Sequence, residues 1–182
     1  MNLLRHCGKE VPVLTRSAIP ILLILVVLGC EDAGYHVGTG DEWAIYRLAD
    51  TTLTSTKVWN NPLGSLQLES NPFITVRHIR YYHWTTHSIE GTPQLEALLD
   101  QITTTWGTVF GRPFVVVAQG ERIYQGTFWW AYSSLMPQCP YIEIISRNPR
   151  RIELPSLYQG VDPRSDPRIY RALKNSGILL EQ

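Results

Sequence analysis

The chain has 182 residues, 16 basic and 16 acidic side chains, and a sequence pI near 7.0. That balance argues against an electrostatic nucleic-acid binder, which needs a clustered basic excess. The length, with 44% apolar residues, suits one globular domain with a proper core.

The first 16 residues carry Arg5, Lys9 and Arg16 against a single acid, Glu10. Residues 17–28 hold no charge, and Ile21 to Leu28 are continuously apolar. A basic stretch, an apolar run and a small residue, in that order, make the layout of a secretory signal. The run is too short to cross a bilayer, which takes about 20 apolar residues. Val27-Leu28-Gly29-Cys30 closes it and resembles the lipobox of bacterial lipoproteins. The resemblance implies that residues 1–29 are removed and that Cys30 opens the mature chain with an acylated thiol. The plainer alternatives are an ordinary signal peptide followed by a chance cysteine, or a short uncleaved anchor. Acylation gives the cysteine a physical purpose: each buried CH₂ contributes about 0.8 kcal/mol, so several acyl chains hold a domain at a membrane. The implied address is a bacterial membrane, with the domain outside the cytoplasm. Glu31-Asp32, directly after the cysteine, bear on sorting between inner and outer membrane without deciding it.

Loss of the leader takes away Cys7, and acylation occupies Cys30, so Cys139 stands alone without an intrachain partner. A lone thiol is more often buried than reactive. Residues 30–41 read as the lipidated cysteine and a flexible tether, because three glycines and no apolar periodicity leave nothing to pack. The globular domain then spans residues 42–182.

Glu42 to Ala49 predicts a first strand, rich in aromatic and β-favouring residues. Asn60-Asn61-Pro62-Leu63-Gly64 is a turn, and Leu66 and Leu68 alternate with polar neighbours as in a short strand. Thr75 is placed to cap one helical turn. Residues 81–89 are mostly aromatic or β-branched and read as one strand ended by Gly91. Thr92-Pro93 opens a helix with Leu95, Leu98, Leu99, Ile102 and Trp106 on one face, closed by Gly107. Pro113 to Ala118 is a continuous apolar strand, central in a sheet. Arg122 to Trp129 returns as its hairpin partner, with Gly126 marking a bulge or a close backbone approach. Tyr141 to Ser146 reads as the last strand, and residues 147–163 as irregular, proline-rich chain. Asp166-Pro167 starts a second helix that Gly177 stops. The sum is an α+β fold in one domain, with a mainly antiparallel sheet and two helices.

Two clusters are candidates for chemistry. His78, His83 and His87 lie within ten residues, and His83 and His87 share a face on either a helix or a strand. Imidazoles at this spacing suit a divalent transition metal such as zinc, copper or nickel. The competing reading is hydrogen-bonded structural histidines. The second cluster is Arg122, Tyr124, Phe128, Trp129, Trp130 and Tyr132 around one hairpin. It either lines a groove for a protein, glycan or small ligand or fills the core. Ser133-Ser134 with His87 supplies a nucleophile and base only in principle, since no Gly-x-Ser-x-Gly elbow accompanies them.

His78-Ile79, Tyr82, Trp84 and His87, followed by Pro113 to Val117 and by Gly120, Arg122-Ile123-Tyr124, Gly126 and Phe128-Trp129, resemble a pattern in uncharacterised secreted bacterial proteins. The resemblance covers about residues 42–146. It implies a common fold, and one patch in which Tyr82, Trp84 and His87 meet Arg122, Tyr124 and Trp129. The expectation is therefore a lipid-anchored envelope protein that binds a ligand or partner through that patch without catalysis and without a cofactor. A metal-binding lipoprotein is the alternative, and a hydrolase ranks third.

Overall fold

A computed structural model of the chain describes residues 42–105, 108–145 and 149–182. The leader, Cys30 and the tether, Trp106, Gly107, and the end of the expected last strand therefore lie outside the described residues. The elements run β1 (Trp43–Arg47), α1 (Ser55–Val58), β2 (Ile74–Thr75), β3 (Ile79–His83), β4 (Ser88–Gly91), α2 (Pro93–Thr105), β5 (Arg112–Ala118), β6 (Glu121–Trp129), β7 (Tyr141–Glu143), β8 (Arg150–Glu153), α3 (Pro167–Asn175) and β9 (Leu179–Leu180). Among the described residues there are three α-helices, not two, because a single turn at Ser55–Val58 adds to those expected.

The strands form one nine-stranded mixed sheet in the order β2-β1-β5-β6-β7-β8-β4-β3-β9. Six of the eight pairings are antiparallel; β6 with β7 and β3 with β9 are parallel. The sheet curls back on itself. Edge strand β2 and β3, the strand beside the other edge, are joined by one 3₁₀ turn, Val76–His78, and the Trp43 ring on β1 lies 6.3 Å from the Tyr82 ring on β3. The backbone N–H of Thr75 donates to His78 Nδ1 at 3.0 Å, which fixes that turn.

The main core fills the concave side. Trp43 and Ile45 from β1, Phe114 and Val116 from β5, and Tyr124 and Phe128 from β6 meet Leu95, Leu99 and Ile102 of α2 and Ile169, Ala172 and Leu173 of α3. A second, smaller core lies on the convex side, where Ala44, Tyr46, Val115 and Val117 are covered by Val58, Leu66 and Leu68. Burial on both faces explains why β5 reads as an unbroken apolar run, whereas a half-buried strand alternates. Leu68 pairs with Leu48 as an isolated bridge, so the expected short strand is reduced to one pairing.

Local chemistry sets the boundaries. Gln119 and Gly120 both have positive φ, +52° and +76°, the geometry of the two-residue turn that suits hairpin twist. Gly126 is a close approach and not a bulge: a Cβ there would overlap the Phe114 ring and come within 2.9 Å of the Pro140 carbonyl oxygen. The bulge lies at Ile123, since Val116 pairs with Tyr124 but Val117 with Arg122. Asp166 caps α3, its side chain accepting from the Arg168 N–H at 2.8 Å, and Gly177 (φ +71°) follows its end. The Thr92 hydroxyl, just before α2, donates to the His78 carbonyl oxygen at 3.1 Å.

Two readings of the sequence are corrected. Residues 81–89 are not one strand: the chain turns at Trp84–His87, and β3 and β4 form a hairpin. The stretch after residue 147 is not wholly irregular, because Arg150–Glu153 forms β8 between β7 and β4. Arg150 is buried there. It is paired with Glu96 of α2 and donates to the Glu143 and Ile144 carbonyl oxygens at 3.4 and 3.3 Å.

Candidate functional site

The β3–β4 hairpin positions the expected site residues. Tyr82 is central in β3 and buried; Trp84 is half-buried in the turn. His87 closes the turn with φ +50°, a left-handed conformation uncommon for a residue with a Cβ. That geometry folds the imidazole back against Tyr82, whose hydroxyl lies 3.0 Å from His87 Nδ1. The Trp84 ring packs edge-on against His87 at 5.5 Å and against Tyr170 of α3 at 5.1 Å.

The other side of His87 faces a segment just before α3. Its Nε2 lies 3.7 Å from Asp162 Oδ2 and 3.5 Å from Ser165 Oγ. Asp162 holds Arg164 through both carboxylate oxygens, and Arg164 also donates to the Ile152 carbonyl oxygen at 2.5 Å. Burial, helped by the Arg164 charge and opposed by Asp162, lowers the His87 pKa to about 4. Burial pushes the Tyr82 phenol well up, so it stays protonated. No other hydrogen-bond acceptor for the Tyr82 hydroxyl is found among the described residues. The phenol therefore donates to Nδ1, and the neutral imidazole carries its own proton on Nε2. In that tautomer His87 donates toward Asp162 and Ser165 and does not serve as a base for the nearby serine. Ser133, of the Ser133-Ser134 pair expected beside His87, instead donates to the Val109 carbonyl oxygen at 2.7 Å and braces a loop.

The three histidines are not brought together. His78 Nδ1 is held by Thr75, His83 Nε2 lies 2.7 Å from Glu90 across the hairpin, and His87 is engaged as above. The turn at Trp84–His87 places His83 and His87 on opposite strands' ends, which removes the shared face expected from their spacing. Among the described residues, no group of three or more His, Cys, Asp or Glu is placed to hold a metal.

The aromatic patch is also divided. Tyr124 joins Tyr82 in the interior, buried, with a hydroxyl that has no partner among the described residues. The Ile123 bulge reverses the alternation, so Arg122 faces the convex side and donates to the Leu63 and Leu66 carbonyl oxygens at 2.5 and 2.8 Å. Trp129 is buried on the convex side against Gly111. Tyr82, Trp84, His87 and Tyr124 thus belong to one packed region, while Arg122 and Trp129 do not, and the aromatic side chains do not form an open groove. Cys139 is buried as expected, and burial pushes its thiol up to about 12.

The open surface lies in three loops. Of the eight large hydrophobic side chains exposed among the described residues, all but Tyr81 fall at 109–110, 132–136 and 157–161. Tyr132 is 76% exposed, Leu157 83% and Val161 90%. The Ser133–Val109 bond ties the first loop to the second. The second and third enclose a cleft of about 580 Å³, with Met136, Pro137 and Gln138 on one wall and Pro155, Leu157 and Tyr158 on the other. The signal was present in the sequence: residues 127–142 and 154–161 contain no charged side chain. Asp162, Arg164 and Ser165 carried no such signal, because nothing local links them to His87. No family model, curated protein or solved structure matches this chain, and no described helix is long and apolar enough to cross a membrane.

Proposed function

We propose that the chain is a lipid-anchored bacterial envelope protein whose domain binds a partner without catalysis, through the apolar loops around the Met136–Leu157 cleft. The observation that carries the binding reading is the gathering of exposed hydrophobic side chains at those loops. Such patches on a folded domain mark interaction surfaces. The polar groups that first suggested chemistry support a non-catalytic role, since His78, His83, His87 and Ser133 are each engaged by internal bonds. The anchor rests on the lipobox-like Val27-Leu28-Gly29-Cys30. Feeding cells an alkyne fatty acid tests it: label should enter the protein and disappear in Cys30→Ala. Label that survives the substitution sinks the anchored reading.

A further inference from the structure

Building on that anchored reading, we propose that the partner of the apolar loops is the bilayer surface itself, so that the domain lies against the membrane with Tyr132, Leu135, Met136, Leu157 and Val161 in its interfacial layer. Three observations carry this. First, the loops are apolar without a compensating charge: none occurs in residues 127–142 or 154–161, and Glu153 and Asp162 stand just outside the second stretch. Asp162 is itself neutralised by Arg164. A protein interface surrounds its apolar centre with a polar, hydrogen-bonding rim; uncharged loops tipped with Tyr, Phe, Leu and Met suit the boundary of headgroups and acyl chains.

Second, the chain can reach. Trp43 pairs with Ala118 beside the Gln119–Gly120 turn, whereas the loop at 109–110 leads into Arg112 at the other end of β5. The domain therefore begins about 20 Å from this loop, taking ~3.3 Å per strand residue. Residues 31–42, between Cys30 and Trp43, extend to about 40 Å at most. An acylated Cys30 and the loops can touch one bilayer together. Third, the contact need not be strong. Once the chain is tethered, the second contact is intramolecular, and a few partly inserted side chains suffice to orient the domain.

The test uses the full chain, isolated from membranes after processing and reconstituted in nanodiscs of phosphatidylethanolamine and phosphatidylglycerol. A polarity-sensitive fluorophore is placed at Tyr132→Cys, at Leu157→Cys or, at the opposite end of β6 from Tyr132, at Glu121→Cys. All three positions are exposed, and Cys139 is buried. Fluorophores at 132 and 157 should shift to the blue and be quenched by nitroxides on the lipid acyl chains, while that at 121 stays in water. If acylated protein keeps all three fluorophores in water, the inference falls and the anchored reading stands. A blue shift that ignores acyl-chain nitroxides and grows with the number of copies per disc would make a second copy the occupant and overturn the inference. Absence of alkyne fatty-acid label on the same preparation would overturn the anchored reading, and the inference with it.

Discussion

Gly126 and His87 show how single residues decide the architecture. A Cβ at 126 has nowhere to go, because the Phe114 ring and the Pro140 carbonyl oxygen occupy its space. Gly126→Ala should lower stability by about 1–3 kcal/mol, the usual range for overpacking a core, as read from the urea midpoint. An unchanged midpoint would mean that β7 does not pack as described. His87 makes stability depend on pH. Its folded pKa is about 4, against about 6.5 in an unfolded chain. Between those values the unfolded chain binds a proton that the folded chain refuses, so stability should fall as pH drops from about 6.5 to about 4. Asp162, with its pKa lowered by Arg164, adds a loss at still lower pH, below the unfolded value of 3.8. His87→Asn keeps a residue that tolerates positive φ and removes the titration. Urea midpoints between pH 7 and pH 4 should then vary less, the remaining slope including that from His78, whose pKa burial also lowers. An identical slope would contradict the assignment.

At the scale of elements, the sequence is informative where a local rule suffices. β1, α2, the β5–β6 hairpin and α3 follow from alternation, helical spacing, turn residues and caps, and they lie where those patterns put them. Asp166→Ala should cost about 0.5–2 kcal/mol, the usual loss for a helix cap, by thermal or urea unfolding; no loss would show that tertiary packing alone holds the first turn of α3. The failures share a cause, which is that tertiary contacts decided the outcome. The turn at Trp84–His87 contains no Gly, Pro or Asn, so nothing local announces it, and His87 accepts a left-handed backbone because Tyr82, Trp84 and Asp162 surround its ring. β8 is four residues in a proline-rich stretch and β9 is two, each defined by its neighbours. The Ile123 bulge shifts Arg122 to the other face, and no residue type marks it.

For the whole molecule, the curled sheet divides the expected site residues between its interior and its convex side and turns a different set of residues outward. Tyr82 and Tyr124 come from distant parts of the chain and serve the core that closes the two ends of the sheet. The apolar loops, by contrast, are covered by no element among the described residues, and only their lack of charge was visible beforehand. The proposed position at a membrane would give those loops a use and the lipobox-like cysteine its reason. Anchoring depends on the state of Cys30, and the most direct measurement is the mass of the N-terminal peptide of protein extracted from membranes. The prediction is a peptide that starts at Cys30 and carries a diacylglyceryl group. A peptide that begins upstream of Cys30, or one with an unmodified thiol, would contradict it.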